Sequence, residues 1–146
     1  MGAIVCRRMP PPPLDSTHWL HRFSPEDWLR AAVTEYDRAA LALAGREQRK
    51  GVAGARRAAG MAMNALLSLV PNDAWGRSYM DHLRAAGTDE GLPEGVRHAA
   101  LQLTLAPLEG PRFIRIGGGG DEGLQGAARA IVEWCAARVD ALRRSP

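Results

Sequence analysis

The sequence predicts an all-α protein, an antiparallel bundle of four to five helices with short connections. Three observations carry that expectation. Apolar residues recur three and four positions apart in successive segments, as one face of a helix requires. Serine, proline and glycine stand where such segments should start and stop. Period-two alternation, the mark of a strand, is confined to residues 112–116, which have no second strand to pair with. At 146 residues the chain is a single domain, long enough to remove roughly two-thirds of its unfolded surface from water.

Residues 1–14 are expected to form a disordered, proline-rich arm, because the four prolines at 10–13 have no backbone donors to give a helix or sheet. Residues 15–146 are expected to form the bundle domain. Residues 14–23 hold a short helical turn carrying Trp19, laid across the bundle. The first long helix starts at Ser24 as N-cap, with Pro25 in its first position and Glu26 and Asp27 facing the positive end of its dipole. Trp28, Ala32, Tyr36, Ala39 and Leu43 form its stripe, Leu29, Val33 and Ala40 widen it, and Gly45 closes it.

The second helix is predicted from Gln48 to Val70, before Pro71, burying Val52, Ala55, Ala59, Ala62, Met63, Leu66 and Val70. Gly51 and Gly54 weaken its start. A third helix, capped by Asn72 or Asp73 and running to about Ala86, places Trp75, Tyr79 and Leu83 on one face. Pro93 and Glu94 open a fourth, ended by Pro107, which buries Val96, Ala100, Leu103 and Leu105. Residues 112–116 read as an extended connector, and 117–120, four glycines, as a flexible joint, since no lysine-bearing strand–helix unit follows to make a phosphate loop. The last helix starts at Asp121 and carries Leu124, Ala128, Ile131, Trp134, Cys135 and Leu142.

Composition narrows the function classes. The net charge is +3 and, of the 19 basic residues, all but Lys50 are arginine; they are interspersed with acids, which argues against nucleic-acid binding on charge alone. Cys6 and Cys135 form no CxxC or paired framework, so disulfides and structural zinc are not expected and a reducing cytoplasm is. The first nine residues lack the order and length of a signal peptide, and no run of about eighteen apolar residues suggests a membrane span. His18 and His21 lie three apart without an acidic or thiol partner close in sequence, so no metal is expected there. The acidic pairs Glu26-Asp27 and Asp89-Glu90 read as helix-start and loop charges. Of the tryptophans, Trp28 and Trp134 are expected in the core and Trp19 and Trp75 at a surface. No cofactor is expected, because the apolar stripes supply no inward His, Glu or Asp.

Trp28-Leu29-Arg30-Ala31-Ala32, Tyr36-Asp37-Arg38-Ala39-Ala40, and Ala55-Arg56-Arg57-Ala58-Ala59-Gly60-Met61-Ala62-Met63-Asn64-Ala65-Leu66-Leu67 together resemble the first two helices of the HEPN superfamily. Ser78-Tyr79-Met80-Asp81-His82-Leu83 is similar to its short third helix and residues 127–139 to its closing helix, so the resemblance covers about 25–142. It implies a four- or five-helix bundle that commonly dimerises. Some members of the superfamily are metal-independent ribonucleases that use an Arg, four to six residues, then a His near the fourth helix. Arg77-Ser78-Tyr79-Met80-Asp81-His82 satisfies that spacing and makes Arg77 and His82 the candidate catalytic pair, histidine as acid or base and arginine against phosphate charge. The pair falls on the predicted third helix, however, and the fourth offers only adjacent Arg97-His98. The expected function is therefore a non-catalytic HEPN-like module, a homodimer that binds a protein partner or small ligand, with no membrane partner. A ribonuclease or toxin acting on RNA through Arg77 and His82 is the alternative.

Overall fold

The structure, a computed structural model, describes residues 18–108 and 120–144. Those residues form an all-α helical bundle: α1 Pro25–Ala44, α2 Gln48–Leu69, α3 Tyr79–Thr88, α4 Glu94–Leu105 and α5 Gly120–Arg144, with short 3₁₀ turns at Trp19–Arg22 and Asp73–Trp75. The expected N-terminal arm at 1–14, the connector at 112–116 and most of the glycine joint lie outside the described residues. No described helix is long and apolar enough to cross a membrane.

Helix α1 begins as its sequence dictates. Ser24 Oγ accepts from the Asp27 N–H at 3.1 Å and Pro25 occupies the first turn. Its face of Trp28, Ala32, Ala39 and Leu43 is buried against α2, with Tyr36 at the margin, while Val33 lies outside. Gly45 ends the helix by donating to Leu41 O, and Arg46, at φ 62°, reverses the chain into α2.

The glycines expected to weaken α2 instead let α1 approach it. A Cβ at Gly51 would lie 2.4 Å from the Leu43 side chain, and one at Gly54 would lie 3.0 Å from Ala39 Cβ. The long apolar face of α2 then serves three neighbours, packing against α1, α3 and α5. Helix α5 also packs on α1 and α4, and α3 sits between α2 and α4.

Polar side chains fasten this frame. Arg56 on α2 donates from Nε to Leu103 O at 2.8 Å and from Nη2 to Thr104 O at 3.2 Å and Ala106 O at 2.8 Å, capping the free carbonyls of α4 with a positive charge at the negative end of its dipole. Gln48 Nε2 adds a bond to Pro107 O at 2.8 Å. Arg143 on α5 holds Glu26 with two bonds of 2.9 and 3.2 Å, and Arg129 donates to the Tyr36 hydroxyl at 2.7 Å.

Four expectations are corrected. The predicted third helix is two pieces, because Gly76 turns the chain at φ 67° and Ser78 starts a new helix. That break rotates Trp75 into the core at 5% exposure, where its Nε1–H reaches Asp89 Oδ2 at 3.3 Å; Trp134 is only half-buried. Val70 is 45% exposed because the helix has already ended at Leu69. Leu105 is 77% exposed, since the last turn of α4 carries it off the face that holds Val96, Ala100 and Leu103.

Candidate functional site: a polar core and an arginine-rimmed cleft

Helix α3 starts with a capping box. Ser78 Oγ accepts from the Asp81 N–H at 3.0 Å, and the Asp81 carboxylate accepts from the Ser78 N–H at 3.3 Å. These bonds hold the Asp81 carboxyl below its ordinary value. The box sets the first turn of α3 so that His82 points inward, and the histidine has 0% exposure.

Both imidazole nitrogens are engaged. Nδ1 lies 2.7 Å from Trp75 O, a carbonyl that can only accept, so Nδ1 carries a proton. Nε2 lies 2.7 Å from the side-chain amide of Asn64 on α2, which is also at 0% exposure. Burial pushes the His82 pKa down, and the Trp75 carbonyl and the Asp81 charge oppose it more weakly. A neutral ring with its proton on Nδ1 presents a lone pair at Nε2, which requires a donor. The structure sets Asn64 Oδ1 at 2.7 Å from Nε2 and leaves Nδ2 buried without a partner, an orientation that suits an imidazolium; a neutral ring is served by the amide turned about, with Nδ2 donating to Nε2.

Arg77 goes the other way. The turn at Gly76 sends it to the surface, where its guanidinium lies 5.9 Å from the centroid of the Trp19 ring. The structure therefore does not bring Arg77 and His82 to one surface: one is exposed, the other sealed in the core. Arg97 and His98 diverge, His98 standing exposed 3.7 Å from Glu94 while Arg97 is half-buried. His18 Nδ1 accepts from the Leu20 N–H at 3.2 Å and His21 is exposed. Among the described residues no group of three His, Cys, Asp or Glu is placed to hold a metal. Cys135 is buried, which pushes its thiol up to about 12 and leaves it protonated.

Above Asn64 lies a cleft of about 330 Å³, walled by Trp19, Trp28 and Tyr79 and rimmed by Arg22 and Arg77. Trp28 is fixed by donating from Nε1 to Leu20 O at 2.8 Å, which ties the 3₁₀ turn to α1. Tyr79 lies flat on α2 because Gly60 has no side chain; a Cβ there would be 2.3 Å from the ring. Burial raises the Tyr79 pKa, so its hydroxyl stays protonated. A second cleft, of about 500 Å³, opens on the other side of the Trp19–Arg77 pair, between Leu67 and Asp73.

Sequence reasoning found Arg77 and His82 but missed Asn64, Arg22 and Tyr79 as parts of one place. The readable signal was an asparagine inside the apolar face of α2, at Met63-Asn64-Ala65, where a polar side chain demands a partner. No family model, curated protein or solved structure matches this chain.

Proposed function

We propose that this chain is a non-catalytic, HEPN-like helical module that binds a protein partner or a small ligand and acts as a homodimer in the cytoplasm. The observation that carries the reading is the state of His82. An acid or base must reach the proton it moves, within about 3 Å or through one water. His82 has no exposed surface, and both of its nitrogens are already bonded to the protein. It serves the bundle as a polar bolt between α2, α3 and the turn at Trp75. A buried, protonated free thiol at Cys135 suits the reducing compartment.

The ribonuclease alternative needs His82 at the phosphate beside Arg77, which would require the first turn of α3 to open. Cleavage of a mixed single-stranded RNA pool in chelator, with the mass of the protein measured in solution, separates the two. The module reading expects no cleavage and twice the chain mass. Cleavage abolished by Arg77→Ala, an exposed position whose loss leaves the core intact, overturns it.

A further inference from the structure

We propose that a third cleft, between the end of α2 and α5, binds a zwitterionic α-amino acid with an apolar side chain. The proposal rests on the reading of the chain as a binding module and names the ligand class for one site on it.

The cleft measures about 320 Å³ and is lined by the end of α2, the turn at Trp75, the α3–α4 connection and α5. Its floor is apolar and fixed. Leu66, Leu67 and Trp75 are core residues at 7%, 3% and 5% exposure, and half-buried Trp134 and Leu92 pack against that core. Val70, left exposed where α2 ends, extends the apolar lining outward. The volume stands at the small end of the range for ligand pockets, about 300–1,000 Å³, and suits one molecule of amino-acid size.

Opposite charges border this lining. Asp89 is set in place by the protein: Oδ1 accepts from the Gly91 N–H at 2.9 Å and Oδ2 from the Trp75 indole N–H at 3.3 Å. Both donors are neutral, so they orient the carboxylate without cancelling its charge, and each oxygen keeps a second acceptor position. Arg138 stands one turn after Trp134 on α5, exposed. Neither Asp89 nor Arg138 has an ion-pair partner among the described residues, and although both line one cleft they do not pair with each other. A ligand carrying both signs serves the two at once, its ammonium on Asp89 and its carboxylate in the planar fork of Arg138. A simple anion would meet the uncompensated charge of Asp89, and a simple cation that of Arg138. The remaining surface, indole and leucine, calls for an apolar side chain on the same molecule.

The test uses the full chain, with L-phenylalanine and L-leucine as probes, titrated while the tryptophan indole and backbone ¹H–¹⁵N signals are recorded. The Trp75 indole N–H already donates to Asp89, so it reports any new donor on that carboxylate. 3-Phenylpropionate lacks the ammonium, 2-phenylethylamine lacks the carboxylate and L-serine lacks the apolar side chain. The expected result is saturable shifts at the Trp75 and Trp134 indoles, with every control at least about tenfold weaker. Arg138→Gln and Asp89→Asn should each weaken binding by at least about tenfold, the worth of one charge-assisted hydrogen bond, and Arg138→Lys should restore part of it. Arg138 is exposed, so its replacement leaves the core intact, and Asp89→Asn keeps an oxygen to accept from Gly91. Absence of saturable shifts with both probes, equal binding of any control, or unchanged binding in Arg138→Gln overturns the proposal. RNA cleavage by the protein would overturn the non-catalytic reading without altering these titrations, so the two failures are told apart.

Discussion

Asn64 and His82, eighteen residues apart, meet at 2.7 Å inside an otherwise apolar core. The bond joins α2 to α3, and the second ring nitrogen ties both to the carbonyl of Trp75. One imidazole on α3 therefore bonds a polar group on each of two other segments, α2 and the turn at Trp75. Replacing it should expose how much of the bundle depends on it. His82→Ala removes a buried ring and orphans two polar groups, so a loss of about 2–4 kcal/mol is expected in urea unfolding. A loss below about 1 kcal/mol would mean that α3 repacks without the link.

The depressed His82 pKa makes stability depend on pH in a defined direction. The unfolded chain binds a proton on this residue near the ordinary value of about 6.5, while burial makes the folded chain resist it. Stability from this group is therefore full above about pH 6.5 and declines as pH falls toward the folded pKa, with a slope that approaches about 1.4 kcal/mol per unit. Asp81 and Glu26, both held below their ordinary carboxylate values, weaken the fold only at more acidic pH. Unfolding free energies between pH 7 and 5 should show the decline in the parent protein and a shallower one in His82→Gln.

Arg56 offers a test of the α4 terminus. Its fork satisfies three carbonyls at once, a geometry that an ammonium on a flexible stem cannot reproduce. Arg56→Lys is expected to cost about 1–2 kcal/mol and Arg56→Ala about 2–3 kcal/mol, with faster amide exchange at the end of α4. Equal stability of all three proteins would show that water replaces the guanidinium freely.

Two glycines shape the cleft. Gly60→Ala drives a methyl into the Tyr79 ring, and Gly76→Ala combines a left-handed φ of 67° with a contact of 2.6 Å to Asp81 Cβ. Each should cost about 1–3 kcal/mol in thermal or urea unfolding. Gly60→Ala should also displace Tyr79 and shift the Trp19 indole signal, whereas Gly95→Ala, with open space around the new atom, should do neither.

Much of the scaffold is legible in local chemistry. Ser24-Pro25 announces α1, Gly45 closes it, and Pro93-Glu94 opens α4, because caps act on their nearest backbone neighbours. The errors arise where one local signal masked another. Spacing from Trp75 through Tyr79 to Leu83 suggested a continuous helix and hid the Gly76 turn and the Ser78/Asp81 capping box, both of which are written in the sequence. That single break also carried Trp75 from its expected surface position into the core. The site was less legible. Asn64 meets His82, and Arg22 shares a cleft with Arg77, only because α2, α3 and the 3₁₀ turn cross where they do, and no spacing rule encodes such a crossing.

The central claim is that His82 is a neutral structural histidine, and its ring nitrogens report on that directly. A long-range ¹H–¹⁵N correlation spectrum at about pH 8, where an ordinary imidazole is already neutral, should show His82 as one neutral tautomer with its proton on Nδ1. An imidazolium pattern, or exchange between protonated and neutral forms at that pH, would contradict the account and return His82 to the candidates for acid–base chemistry.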